Sequence, residues 1–174
     1  LNAVQQAEPV SVYELFTGRK QGGEALVNLF GGTNGTSGAL SAGDFIGEDN
    51  GPGNRTGIQA FIDNSDVSIM AVPGVTDPNV QMSLVAHCEN TGSRIAILDL
   101  ARDVKGVNDI IAQRGIFDTS YAAMYHPWVK VFDPLTKNSA AIPPSGSVAG
   151  IYARSDNSRG VWKAPANEVV SGCV

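Results

Sequence analysis

The chain has 174 residues, 43% of them hydrophobic, with 20 glycines and a formal net charge of −5. That length supports one domain with a real core, and the apolar share is that of a folded chain rather than a disordered one. The acidic balance excludes a general nucleic-acid binder, which needs a basic face, and no run of about 18 apolar residues is present to cross a membrane as a helix. The start carries no basic, apolar, small-residue signal sequence. Opening on Leu1 rather than Met fits a fragment of a longer protein.

The first segments read as strands. "VSVYELF" (Val10–Phe16) alternates and is β-rich, and "ALVNLF" (Ala25–Phe30) follows the turn-forming "GRKQGG". Gly31 to Gly43 is glycine, serine, threonine and asparagine with little apolar content, a loop by composition. In "RTGIQAFIDN" (Arg55–Asn64), Ile58, Phe61 and Ile62 fall at i, i+3 and i+4, the spacing of one helical face.

From there the pattern is regular. "DVSIMAVPG" (Asp66–Gly74) predicts a strand buried on both faces and stopped by Pro-Gly. Thr76–Gly92 predicts a helix with Thr76 or Asp77 as cap, Pro78 in the first turn, Gly92 at the stop, and Val80, Met82, Leu84, Val85 and Cys88 on a broad apolar face. Arg94–Ala101 predicts a second buried strand and Gly106–Gly115 a second helix. Strand and helix alternating at this spacing predict an α/β fold with a largely parallel central sheet and right-handed crossovers.

Tyr121–Pro134 is a strand region broken by Pro127, with Val129, Val131 and Asp133 on one side and Trp128, Lys130 and Phe132 on the other. "LTKNSAAIPP" supplies a turn and return strand, and Gly146–Gly160 a short helix capped by Ser145 or Ser147, with Val148, Ile151 and Tyr152 on one face. The sheet is therefore mixed and flanked by helices, with long glycine-rich loops in the N-terminal third. The whole chain, 1–174, reads as a single α/β domain.

Several residue sets invite a chemical reading. "GPGNRTG" (Gly51–Gly57) places glycines, an arginine and a threonine before a helix, where backbone amides can cradle an anion; it lacks the G-x-x-x-x-G-K-[ST] pattern and follows no strand. A loop capping a helix is the plain alternative. Asp99, His126 and Ser145 occur in the chain order of one serine-protease class, but Ser145 is not on a G-x-S-x-G elbow, and a triad is recognised by geometry. His87, His126, Cys88 and Cys173 offer no ligand pair at close spacing, and Asp44, Glu48 and Asp49 read as a weak cation cluster or a solvated helix start. Cys88 and Cys173 match no redox spacing; they read as two reduced thiols or as one disulfide. No cofactor and no metal are expected.

The run from Arg154 through Asp156, Arg159 and Lys163 to Glu168 alternates in sign and is flanked by Tyr152 and Trp162. Mixed charge around large aromatics is the composition of a protein–protein contact, where Tyr, Trp and Arg dominate. The alternative is a solvated face with Trp162 tucked against its own domain. A shallow aromatic groove around Trp128 or Trp162 would instead suit a carbohydrate or receptor-binding module.

The stretch "SYAAMYHPWVKVFDPLTKNSAAIPPSGSVAGIYARSDNSRGVWKAPANEVVSG" resembles the most distinctive segment of contractile phage tail sheath proteins. In that family a "Y-P-W" strand and a "DP" turn lead into "PPSG-VAG-YAR-D--RGV-KAPAN". "LFGGTNGTSGALSAGDFIGEDNGPGNRTGIQAF" (Leu29–Phe61) and "VSIMAVPG" match upstream segments, so the resemblance spans roughly Leu29 to Gly172 in the right order. His126, before the Pro-Trp pair, and Cys173 depart from the pattern.

The resemblance implies a structural, non-enzymatic subunit. It also implies the sheath domain whose topology is subtilisin-like without protease activity, with N-terminal and C-terminal family domains lying beyond this chain. Related sheaths occur in R-type pyocins, in extracellular contractile injection systems and, more distantly, in type VI secretion. The implied partners are other sheath subunits in a helical assembly, the inner tail tube and the baseplate, with no direct nucleic acid and no membrane insertion. The implied place is the virion tail, assembled in the bacterial host cytoplasm. Without the family's terminal arms the chain is expected to be monomeric or weakly associating. The expected subunit-contact residues are Arg154, Asp156, Arg159, Trp162 and Lys163. The competing class is a hydrolase using Ser145, His126 and Asp99.

Overall fold

In the computed structural model of the chain, residues 40–174 are described. The strands expected at Val10–Phe16 and Ala25–Phe30, and residues 31–39 of the Gly31–Gly43 loop, lie outside them; Ala42 and Gly43, expected in that loop, begin α1. The described elements are α1 (Ala42–Ile46), a 3-10 helix (Gly57–Asp63), β1 (Ile69–Ala71), α2 (Pro78–Thr91), β2 (Ile95–Asp99), α3 (Val107–Arg114), β3 (Ala122–Tyr125), β4 (Val129–Asp133), β5 (Asn138–Ile142) and α4 (Ser145–Arg159).

β1, β2 and β3 form a parallel sheet in that order, with Met70 opposite Ala96 and Ile97 opposite Ala123. Parallel neighbours require crossovers, which α2 and α3 supply. The α/β expectation holds. β4 and β5 form a separate antiparallel ladder rather than extending the first sheet, Val131 facing Ala140. The chain leaves the parallel sheet at the cis His126–Pro127 peptide. β4 also gains a contact on its other side: Val131 bridges Cys173, and Val174 N donates to Lys130 O at 3.0 Å.

α2 forms where its end signals stand. Asp77 accepts from Asn79 N at 2.8 Å, Pro78 occupies the first helical position, and Gly92 takes the left-handed stop at φ 65°, its N–H on Cys88 O at 2.9 Å. Val80, Leu84, Val85 and Cys88 form its buried face and pack with Ala96, Leu98, Met70, Ile58 and Phe117 as the core. Each Val, Leu, Ile, Met or Phe buried there contributes about 1.5–3 kcal/mol over leaving it exposed. Alternation along β2 sends Ala96 and Leu98 into that core and Ile97 and Asp99 to the opposite face, where α4 lies. β2 is thus covered on both faces.

Four expectations change at this level. Met82, expected on the apolar face of α2, is 44% exposed, because two residues from Leu84 is about 200° around the helix. The Arg55–Asn64 helix is a 3-10 helix, Gly57–Asp63; with three residues per turn, Ile62 rotates off the face of Ile58, and only Ile58 is buried. The strand in Asp66–Gly74 shrinks to Ile69–Ala71 with Met70 alone buried, and β1 is the edge of the sheet formed by the described residues. α4 (Ser145–Arg159) fills the span expected for it to within a residue, but its cap position is Pro144 rather than Ser145 or Ser147, with Ser145 inside the helix and its hydroxyl engaged elsewhere.

Candidate functional site

The C-terminal end of a parallel sheet is where α/β proteins place functional groups, and here Asp99 ends the central strand. Its carboxylate, 2% exposed, accepts from Ser145 N at 2.9 Å, from Ser145 Oγ at 2.7 Å and from Gly74 N at 3.0 Å. Its backbone carbonyl accepts from Gln81 Nε2 at 2.7 Å, and next to it Leu100 O accepts from Trp128 Nε1 at 2.9 Å. Five parts of the chain meet here: the Pro73-Gly74 turn, α2, the end of β2, the start of β4 and the start of α4. Ser145 N is one of the amides that a helix start leaves without an intrahelical acceptor. Asp99 therefore acts as an N-cap delivered from 46 residues away.

That geometry corrects the triad. Ser145 is brought to Asp99, but directly, with its hydroxyl spent on the carboxylate and no histidine between them. Ser145 is 0% exposed, so no substrate carbonyl reaches it. His126 Nδ1 is buried with no hydrogen-bond partner among the described residues. A triad nucleophile needs a histidine base beside it and an open approach; Ser145 has neither, its hydroxyl bonded directly to Asp99 and closed to solvent. The pairing of Asp99 with Ser145 was not legible from spacing.

The glycine-rich loop is likewise closed on itself. Arg55 Nε pairs with Asp49 at 2.6 Å and its Nη1 with Asp63, while Gly53 N donates to Asp63 at 3.0 Å. Glu48 N donates to Thr56 Oγ1 at 2.9 Å and Thr56 N to Glu48 O at 3.0 Å. The cation and amides that an anion would use are already occupied by carboxylates. Gly57, at φ 53°, admits no side chain, since a Cβ would come within 2.5 Å of Phe45 O. The acidic cluster is also divided: Asp44 accepts from Ser41 N and Oγ, both at 2.7 Å, at the start of α1. The Ser41 bonds hold Asp44, and the Arg55 bond holds Asp49, below the usual carboxylate range.

His87 lies at 5% exposure and is bonded to Arg94. Burial, then the Arg94 charge, push its imidazole below 6.5. Both cysteines are free: Cys88 is fully buried, its thiol pushed up by burial to about 11, and Cys173 is exposed. Among the described residues no group of three or more His, Cys, Asp or Glu is placed to hold a metal.

The Arg154–Glu168 run is brought together around Glu168. Lys163 Nζ reaches Glu168 Oε1 at 2.9 Å and Arg154 reaches Oε2 at 3.3 Å, tying the loop after α4 back to that helix. Lys163 first, then Arg154, hold the Glu168 carboxylate below its ordinary range. Glu168 is the residue whose organising role the sequence run did not single out. Arg159 is exposed at the last turn of α4, and Asp156 is half-buried. Trp162 is 81% exposed rather than tucked in; its indole lies over Gly160, where a Cβ would come within 2.5 Å of Nε1. Trp128 is half-buried, and its indole N–H is spent on Leu100 O.

Known proteins share this chain's sequence and fold. A family model described as the phage tail sheath protein central domain matches residues 50–174. A protein named as a prophage major tail sheath protein in Pseudomonas aeruginosa is 27% identical over 132 residues, 73% of this chain and 34% of the relative. The tail sheath protein of Burkholderia phage BcepMu is 30% identical over 146 residues, 76% of this chain and 30% of the relative. Among solved structures, the sheath complex of the extracellular contractile injection system PVC, in its contracted state, is 30% identical with a TM-score of 0.53, over 66% of this chain and 31% of that one. The chain thus spans about a third of the length of the relatives it matches. These relatives are structural sheath proteins, and the match runs through every element from the 3-10 helix to the Val131–Cys173 bridge: the chain belongs to the phage tail sheath protein family.

Proposed function

We propose that this chain is the α/β domain of a contractile sheath subunit, a structural protein that polymerises helically around an inner tube and shortens to drive it through a cell envelope. The observation that carries this reading is the family match across residues 50–174 together with a fold like that of a sheath solved in the contracted state. A heterologous contact that does not close generates such a helix. The chemistry around Asp99 supports a non-catalytic role, because the buried carboxylate–hydroxyl pair that the described residues place at the sheet's functional end is consumed in holding α4. The energy of contraction then resides in the contacts made between subunits. The partners are other sheath subunits, with the tube and the baseplate bound by the whole protein. The place is the tail of a virion, assembled in the host cytoplasm.

The subunit contacts fall at Arg154, Asp156, Arg159, Trp162 and Lys163. Arg159 and Trp162 are exposed, whereas Arg154, also exposed, and Lys163 shape the surface through Glu168. The full-length protein, co-expressed with its tube protein, should form contractile sleeves visible by negative-stain microscopy. Arg159→Glu with Trp162→Ala should abolish sleeves or block their shortening while leaving the circular-dichroism spectrum unchanged. Absence of sleeves from the unaltered protein would overturn the sheath reading; normal sleeves and contraction from the double variant would overturn the contact assignment.

A further inference from the structure

Arg94 precedes β2 and is 5% exposed, yet none of the ion pairs among the described residues uses it. Its guanidinium is held by two acceptors. One Nη donates to Nε2 of His87 on α2, the other to the backbone carbonyl of Asn64, and Nε is buried without a partner among the described residues. Arginine only donates, so Nε2 must present its lone pair and His87 must be neutral with the proton on Nδ1. Asn64 is the C-terminal cap of the Gly57–Asp63 helix, whose Ile58 enters the core. The bonds therefore join three elements through one buried cation.

Proton uptake at Nε2 turns that acceptor into a donor and sets two cations in contact where little water screens them. The other ionisable groups around the site offer no relief. On α2, Cys88 is a buried thiol and Glu89 is exposed beside it. Next to Asn64, Asp63 is taken up by Arg55 and Asp66 is exposed. On α1, Asp44 is bound to Ser41, and at the far end of β2 Asp99 is bound to Ser145 and Gly74.

We propose that His87, Arg94 and the Asn64 carbonyl form an acid-sensitive latch, in which neutral His87 holds Arg94 on Asn64 and protonation of His87 frees the Gly57–Asp63 helix from the start of β2. The sign follows from the histidine being depressed in the fold below 6.5. The opened state binds the proton first, so the latch is fully closed above pH 6.5 and is lost as pH falls below it through the folded-state value. One proton taken up on opening raises the opening constant by up to about tenfold per pH unit in that window. The latch does not rest on the sheath reading.

The test uses the 174-residue chain, in which His126→Gln leaves His87 as the only remaining imidazole of two. NMR titration should place His87 below 6.5. Hydrogen exchange, corrected for its intrinsic pH dependence, should show amides of residues 57–66 losing up to about tenfold protection per pH unit below that window. In His87→Gln, which keeps an acceptor and cannot titrate, that pH dependence should vanish. A His87 titration at or above 6.5, or unchanged protection of 57–66 in the histidine-bearing chain, would sink the proposal. So would the same pH slope in His87→Gln; if that variant does not fold, the first two measurements decide alone.

Discussion

At Asp99 three donors converge on one buried carboxylate, and the free energy of the arrangement lies in what its loss leaves behind. Asp99→Ala strands Ser145 N, Ser145 Oγ and Gly74 N without their acceptor. Unsatisfied buried donors each cost about 1–3 kcal/mol and are not additive, so a loss of about 3 kcal/mol is expected. Ser145→Ala removes only the hydroxyl bond and should cost about 1 kcal/mol, because the Ser145 amide still reaches Oδ1. Urea unfolding of the two variants measures the difference; equal losses would mean that the carboxylate does not act as a shared cap. Asp99 was legible as a residue at a privileged position, the end of a buried strand. Ser145 stood beside it only as a member of a triad read from chain order; that the two bond directly was not legible, because they lie 46 residues apart and nothing local marks the contact.

α2 shows how far local signals reach. Asp77, Pro78 and Gly92 act over neighbouring residues, so both ends of the helix could be read before any packing was known. The choice between Leu84 and Met82 could not, since both are apolar and only the sheet decides which face it covers. Leu84 is 2% exposed and Met82 44%. Leu84→Ala should therefore cost about 3 kcal/mol through lost burial and a residual cavity, and Met82→Ala less than about 1 kcal/mol. Chemical denaturation of each distinguishes them; a Met82→Ala loss as large as that of Leu84→Ala would place the core on the wrong side of α2. α3 makes the same point in reverse. Its Val107 and Ile111 are 69% and 62% exposed and none of its residues is buried, although its sequence predicts a helix as plainly as that of α2 does.

Over the described residues as a whole, burial separates two chemically identical thiols. Cys88 sits in the core with its thiol pushed up to about 11, and Cys173 is exposed beside Val131. The thiolate is the reactive form and needs access. An aromatic disulfide reagent at neutral pH should thus titrate one thiol in the native protein, removed by Cys173→Ser, and reach the second only on unfolding. Rapid modification of both would contradict the packing of α2 on β2.

The sequence by itself determined the alternation of helix and strand, the stops and starts of α2, the aromatic and proline punctuation around Trp128 and Pro143, and the motifs that resemble the sheath family. These signals are local or linear, and a linear reading recovers them. Only the tertiary structure decided that Asp99 and Ser145 form a cap rather than a triad and that Arg55 answers two carboxylates instead of a phosphate. It also decided that Arg154 and Lys163 share Glu168 while Trp162 stands in solvent. The physical reason is the same each time: a polar side chain's role is set by which partner lies within about 3 Å of it, and chain folding, not sequence spacing, brings that partner there.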